Sequence, residues 1–196
     1  MSTPAVSPFL QGISSASGSL AGGRPEARSV ADRRLRALDA LLDRPCVELQ
    51  SLYRDARAPR LGEVAGDLRG RMLAWPSLES RPLLAGAIRA LAGSRSFPWR
   101  GKSFHPKGEL GGEGINRVVT DRLRLFRFET FIGKSKAGDF DALQLDYDLP
   151  ENPPVIRSIK DEIREIDPGL WLGQAYLKTR SRDILWLYFA LARVDA

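Results

Sequence analysis

The sequence is poor in the residues that bind transition metals or form disulfides. It has one cysteine, Cys46, and one histidine, His105, among 196 residues. A single cysteine excludes an internal disulfide framework. One cysteine and one histidine together are too few ligands for a zinc site built from Cys and His. We therefore expect a reducing, cytoplasmic location, and we predict neither a metal ion nor a cofactor.

Long apolar runs are also lacking. The longest run near the C-terminus, Ile184 to Ala192, is too short to span a bilayer as a helix. The first residues lack the basic start and apolar middle of a secretory signal. Residues 1–23 are rich in Ser, Ala and Gly and contain neither acid nor base, which predicts a disordered tail. A transit peptide is the alternative, and the absence of arginine before Arg24 weighs against it.

The net charge of +6 does not come from a compact basic patch. Residues 24–44 contain six arginines and four acids in a mixed pattern, which is typical of a solvated helix face. No aromatic-basic RNA motif and no helix-turn-helix pattern is present. We therefore expect no nucleic-acid partner.

The N-terminal third has helical spacing. Apolar residues recur at helical intervals from Pro25 to Asp43. Pro45 interrupts this pattern, and a second helix that contains Val47 and Leu49 is predicted to run to Arg57, before Pro59. The chain is long enough for one domain with a real core. We predict that residues 24–58 form helices that pack on a body formed by residues 59–196.

The body has the glycine-bounded short segments of an antiparallel β structure. Residues 61–75 have glycines at 62, 66 and 70, which favours a bent strand or a strand pair over a helix. The segment lacks the Gly-Lys-Ser/Thr ending of a phosphate loop. Further strands are predicted at 99–104, 113–120, 123–132, 140–147, 170–178 and 184–193. Helices are predicted between Ser77 and Ala92 and over 155–166, the second from isoleucines at helical spacing.

Several segments resemble a known group of small barrels. The segments are RLGEVAGDLRGRML at 60–73, WRGKSF at 99–104 followed by GIN, DYDLPENPPVIR at 146–157, GLWLG at 169–173 and WLYFALAR at 186–193. Their order resembles lipocalin-like (calycin) families, in particular bacterial proteins with a GXWXG-type first motif and a DUF4334-type body, although Leu68 stands where a tryptophan is expected. The resemblance implies an α+β fold, an antiparallel lipocalin-like β-barrel with N-terminal helices and a short helix before the last two strands. It also implies a ligand cavity, and it supplies no catalytic residue.

Three side chains are candidates for acid-base catalysis. His105 lies at a predicted strand end, and Asp146 and Tyr147 end the strand at 140–147. Strand alternation directs Asp146 and Tyr147 to opposite faces, so both cannot line one pocket. The alternatives are a surface histidine and an aspartate that forms an ion pair with a nearby arginine.

A second set consists of polar and aromatic residues within otherwise apolar strands. Such residues would line a barrel that holds one small ligand, and the alternative is an outward-facing position. The candidates are Trp99, Asn116, Arg127, Glu129, Gln144, Gln174, Tyr176 and Tyr188.

These observations leave three hypotheses for function. The first is binding of a small hydrophobic or aromatic molecule in the barrel cavity. The second is a cofactor-independent isomerase, cyclase or lyase of specialised metabolism that uses acid-base residues in the same cavity. The third is a protein-interaction module that uses the arginine-rich helices and the apolar closing strand. Homo-oligomerisation is left open.

Overall fold

The structure is a computed structural model that describes residues 25–78, 98–119 and 122–194. The tail predicted at 1–23 and most of the helix predicted between Ser77 and Ala92 lie outside the described residues. Of that helix, the described part is the end of a 3-10 turn at Pro76–Leu78.

The body is a closed antiparallel barrel of eight strands, in which each strand pairs with its neighbour in sequence. The first and last strands also pair, with Gly70 opposite Leu191, so the barrel has no open edge. This confirms the predicted fold class, a mixed α+β protein built on a barrel. The strands are β1 (Gly66–Ala74), β2 (Trp99–Pro106), β3 (Gly112–Val118), β4 (Arg124–Lys134), β5 (Asp141–Asp146), β6 (Ile159–Asp167), β7 (Leu170–Lys178) and β8 (Asp183–Arg193).

Both faces of the C-terminal strands are buried because each face has its own cover. In β8, Leu187 and Phe189 point into the barrel and belong to the interior core. Tyr188 and Ala190 point outward and belong to a second core beneath the helices. Successive side chains of one strand thus belong to two separate apolar clusters, one inside the barrel and one beneath the helices.

Two N-terminal helices form the outer cover. Helix α1 (Pro25–Ala40) continues into a 3-10 turn at Leu41–Asp43, and α2 (Cys46–Asp55) follows Pro45. Their apolar faces pack on the outer surface of β1, β7 and β8. The fully buried helix residues in this contact are Ala37, Leu38, Leu41, Leu49 and Tyr53. No helix in the described part of the chain is long and apolar enough to cross a membrane.

The helix before the last strands is present, but it is shorter than the isoleucine spacing predicts. Helix α3 covers only Pro154–Arg157, and the following residues form β6. The isoleucines here are β-branched, and β6 pairs with β5 on one side and β7 on the other. Pairing with two neighbouring strands therefore determines the structure of this segment, and it overrides the helical spacing of the isoleucines.

One end of the barrel is closed by core side chains. A 3-10 turn at Leu61–Val64 precedes β1, and its Leu61 and Val64 belong to the interior core. Leu68 and Phe104, at the same end of the barrel, complete this packing. The interior at the other end, where β1 finishes and β2 begins, is therefore the space available for a site.

Aromatic rings lie over glycines inside the barrel. At three interior glycines, a Cβ atom would lie 2.2 to 2.6 Å from atoms of an aromatic ring, which is closer than real Cβ contacts. A glycine at each position lets the ring lie against the backbone, as in the pairing of aromatic residues with strand glycines. The pairs are Gly70 with Trp99, Gly114 with Phe128, and Gly173 with Phe189.

Candidate functional site

A cavity of about 260 Å³ occupies the barrel interior at the end opposite the 3-10 turn at Leu61–Val64. Its wall is largely apolar, with a small group of polar side chains. The apolar wall includes Met72, Val118, Phe126, Ile159, Leu187 and Phe189. The polar group is Lys102, Asn116, Tyr147 and Asp161, which we call the cavity polar cluster.

Lys102 is the centre of this cluster. Its side chain is only 3% exposed, and its ammonium group donates three hydrogen bonds. The acceptors are Asn116 Oδ1 at 2.9 Å, Tyr147 Oη at 2.5 Å and Asp161 Oδ2 at 2.9 Å. A lysine has three donor protons, so each proton has an acceptor.

The remaining donors of the cluster are also paired. The Tyr147 hydroxyl donates to Asp161 Oδ2 at 3.1 Å. Asn116 Nδ2 donates to Tyr147 Oη and to the Phe126 carbonyl, both at 3.2 Å. Trp99 Nε1 donates to Asn116 Oδ1 at 3.0 Å. The cluster is thus a connected network that fixes the orientation of each side chain.

One acceptor is left over. Asp161 is 5% exposed, and its Oδ1 atom is buried without a hydrogen-bond partner among the described residues. Its other oxygen carries the contacts to Lys102 and Tyr147. An unpaired buried carboxylate oxygen costs free energy, and such atoms in native structures call for an explanation.

Burial shifts the pKa values of the two ionisable donors in opposite directions. It lowers the pKa of the Lys102 ammonium, and the charge of Asp161 and its hydrogen bond oppose that shift. Burial also raises the pKa of the Tyr147 phenol well above its usual value, and the Asp161 carboxylate raises it further. Tyr147 is therefore a neutral hydroxyl at physiological pH.

Aromatic rings surround the ammonium group. Three ring centroids lie between 5.1 and 5.5 Å from Lys102 Nζ, which is within cation-π range. They partly replace the water that burial removes from the charge. The rings belong to Trp99, Phe128 and Phe189.

Phe126 shows strained backbone at the cavity wall. Its φ of 60° lies in the left-handed region, which is rare for a bulky residue. The pairing of β3 with β4 shifts register here, so Phe126 is the extra residue of a β-bulge between Leu125 and Arg127. The bulge places the Phe126 side chain in the cavity wall, and the Phe126 carbonyl accepts a hydrogen bond from Asn116 Nδ2. Backbone strain of this kind concentrates at functional sites.

The cavity brings together three of the residues singled out from the sequence. Tyr147, Trp99 and Asn116 all line it and are joined through the polar cluster. Tyr147 directly follows β5, and Asp146 lies on the other face of the sheet, in contact with Lys160. The structure places His105 on the exposed side of β2, directed away from the interior.

Three ligand-binding candidates lie beneath α2, outside the barrel wall. Gln174 Nε2 donates to Gln50 Oε1 at 2.9 Å, and the Tyr188 hydroxyl donates to the same atom at 2.5 Å. The Tyr176 hydroxyl donates to Gln174 Oε1 at 2.6 Å. Side chains alternate between the two faces along β7 and β8, and these three lie on the outer face. They therefore connect α2 to the barrel.

The other candidates lie on the outer face of β4 and β5. Arg127 forms an ion pair with Glu113 at 2.8 Å, and Glu129 is exposed. Gln144 donates to the Lys134 carbonyl at 3.2 Å. The inward residues of the same strands include Phe126, Phe128, Leu143 and Leu145.

Sequence reasoning missed Lys102 and Asp161. Lys102 lies two residues before the inward Phe104, so alternation alone would have directed it into the barrel. A lysine among glycine, serine and phenylalanine in WRGKSF was the available signal. Asp161 was not identified because the spacing of its segment predicts a helix. Strand alternation, which would have assigned Asp161 to a face of the barrel, was therefore not applied.

Metal ligands do not cluster in the described ranges. No group of three or more His, Cys, Asp or Glu side chains is placed there to hold a metal ion. Cys46 is buried at the start of α2.

Comparisons with known proteins do not assign a family. No protein-family model and no curated protein matches the sequence. Among solved structures, the chain is similar to a crystal structure of a protein from Thermomonospora curvata, with a TM-score of 0.48 and 16% sequence identity. The match covers 84% of this chain and 98% of that chain. The resemblance to GXWXG and DUF4334-type proteins stays a prediction.

Proposed function

We propose that the protein binds a small hydrophobic or aromatic molecule in the barrel cavity. The observation that carries the proposal is a mostly apolar cavity with a connected polar cluster at its wall. Ligand pockets have this composition, because apolar walls supply affinity and a few polar groups fix orientation.

The volume limits the size of the ligand. About 260 Å³ lies just below the ~300–1,000 Å³ typical of pockets for drug-sized molecules. A molecule of one or two fused rings matches such a space, and the aromatic side chains of the wall favour a flat one.

The apolar rim at this end of the barrel supports entry of such a molecule. Trp186 lines the cavity and is 39% exposed, and Val155, next to the cavity residue Ile156, is 69% exposed. Exposed apolar side chains around an opening are typical of ligand-binding sites.

Equilibrium dialysis with naphthalene tests the proposal. Ala175 lines the cavity, so Ala175→Leu fills part of it and should weaken naphthalene binding by about tenfold or more. Val47→Leu adds bulk at a side chain that is 74% exposed on α2 and should leave binding unchanged. Equal weakening in both variants, or no binding to the unaltered protein, would reject the proposal. Native mass spectrometry of the purified protein would show a co-purified small molecule directly.

The second candidate is a cofactor-independent enzyme that works by acid-base catalysis. The observation that favours it is the Asp161 carboxylate at the cavity wall, with one oxygen unpaired within the described chain. A carboxylate so placed can accept a proton from a carbon next to a carbonyl. Deuterium incorporation into 2-tetralone in D₂O, measured as the rate above that of the protein-free solution, tests this, and an enhancement that persists undiminished in Asp161→Asn would reject Asp161 as the base.

A further inference from the structure

We infer that the ligand of the cavity is a neutral molecule with a hydrogen-bond donor, such as a phenol or an N–H heterocycle, which donates to Asp161 Oδ1. This inference rests on the proposed function and specifies its ligand class. It follows from the hydrogen-bond inventory of the cavity polar cluster and from its charge.

The inventory leaves one acceptor of the cluster unpaired within the described residues. The three protons of Lys102 and both amide protons of Asn116 have acceptors, and the Tyr147 hydroxyl donates to Asp161 Oδ2. The acceptors Asn116 Oδ1 and Tyr147 Oη each receive two hydrogen bonds. A carbonyl oxygen and a hydroxyl oxygen each have two lone pairs, so both are saturated.

Asp161 Oδ1 is the acceptor that remains. It is buried and has no partner in the described ranges, and Asp161 lines the cavity. A ligand with an O–H or N–H group would satisfy this oxygen. A ligand that offers only acceptors, such as a ketone or an ether, would find no donor that is not already used.

The charge of the cavity selects against ions. Lys102 and Asp161 are the charged side chains that line it within the described residues, and their charges cancel. Proton transfer between the two leaves the sum unchanged. A carboxylate ligand would bring a second negative charge into an apolar space without a second cation, and that desolvation is costly.

Three naphthalene probes of similar size separate these features. The first, 2-naphthol, has a donor; 2-methylnaphthalene has nearly the same shape without one; and 2-naphthoate is an anion. Equilibrium dialysis at pH 7 should give a Kd for 2-naphthol about tenfold or more below that for 2-methylnaphthalene, because the acceptor is charged. The methyl compound is the more apolar, so hydrophobicity alone predicts the opposite order. Binding of 2-naphthoate should be the weakest.

Asp161→Asn supplies the matched variant. It removes the charge of the acceptor, so the preference for 2-naphthol over 2-methylnaphthalene should fall towards parity. If that variant does not fold, the three probes on the unaltered protein still decide. Equal Kd values for 2-naphthol and 2-methylnaphthalene, or tighter binding of 2-naphthoate, would overturn this inference and leave the proposed function intact. If none of the neutral probes binds, both are rejected.

Discussion

Asp161 and Glu162 are consecutive residues of β6, and their buried carboxylates lie on opposite sides of the barrel wall. Asp161 faces the cavity and contacts Lys102. Glu162 faces outward and accepts hydrogen bonds from Tyr53 at 3.0 Å and from Ser135 at 2.6 Å. One strand therefore carries an interior group for the site and an exterior group for helix docking. Substitutions can test these two roles separately.

Removal of the Lys102 ammonium should destabilise the fold strongly. Lys102→Met leaves the buried Asp161 carboxylate without its cation, and breaking a buried ion pair from one side typically costs ~3–5 kcal/mol. The double variant Lys102→Met/Asp161→Leu should recover much of that loss, because no charge is left unpaired. Urea denaturation measures both free energies of unfolding. A double variant less stable than the single one would contradict this account.

Loss of the Tyr53 hydroxyl should affect stability and leave the cavity unaltered. Glu162 keeps its contacts to Ser135 Oγ, Lys136 N and Gln144 Nε2 in Tyr53→Phe, so the cost should be about 1 kcal/mol. The Kd for 2-naphthol should not change, because Tyr53 lies outside the barrel wall. Tyr147→Phe is the interior counterpart, and it should change that Kd. A Tyr53→Phe variant that weakens 2-naphthol binding as much would refute the separation of the two faces.

Alkaline pH should unfold the protein as its buried tyrosines ionise. Burial raises the pKa values of Tyr53, Tyr147 and Tyr176. The folded state thus keeps phenol protons that the unfolded state releases near pH ~10, so stability falls as pH rises above that value. The lowered pKa of Lys102 acts in the opposite direction, and its effect saturates near pH ~10.4, where the unfolded lysine has lost its proton.

Phenolate absorbance and circular dichroism, followed together against pH, measure this effect. Ionisation of the buried tyrosines should coincide with the loss of β structure. If all four tyrosines titrate near pH ~10 while the dichroism remains native, burial does not control their ionisation.

A methyl group at Gly173 should be destabilising. A Cβ atom there would lie 2.2 Å from the Phe189 ring, so Gly173→Ala should cost ~1–3 kcal/mol by overpacking. Gly62→Ala is the matched control, because nothing lies within 4 Å of its Cβ position. The double variant Gly173→Ala/Phe189→Leu should recover stability relative to Gly173→Ala. Thermal unfolding of the three variants tests the contact, and equal Tm values for Gly173→Ala and Gly62→Ala would disprove it.

The sequence was sufficient for most of the strands and for the presence of a barrel. Short apolar segments separated by polar or glycine-containing turns correspond to β2, β4 and β8, because strand alternation and turn residues act locally. It was insufficient for β6, where isoleucines fit a helical period and only pairing with β5 and β7 decides the structure. Such pairing is a tertiary effect that local patterns do not contain.

The inner face of the barrel was the harder part of the site to predict. In β8 both faces are apolar, because the helices cover the outside, so Tyr188 and Phe189 look equivalent in sequence. Bulges shift the alternation further, as at Phe126. Trp99, Asn116 and Tyr147 were identifiable as residues of interest, whereas their meeting at Lys102 depends on strand register.

The pairing of β1 with β8 constrains the order in which the chain can fold during synthesis. Strands β2 to β7 can each pair with the strand made before them, but the barrel cannot close until Asp183–Arg193 has left the ribosome. Until then β1 and β7 each present an unpaired edge, and α1 lacks its docking surface on β8. Closure joins segments more than a hundred positions apart, which predicts slow folding for a protein of this size. We expect the nascent chain to be most prone to aggregation in that interval, because its strand edges are then unpaired.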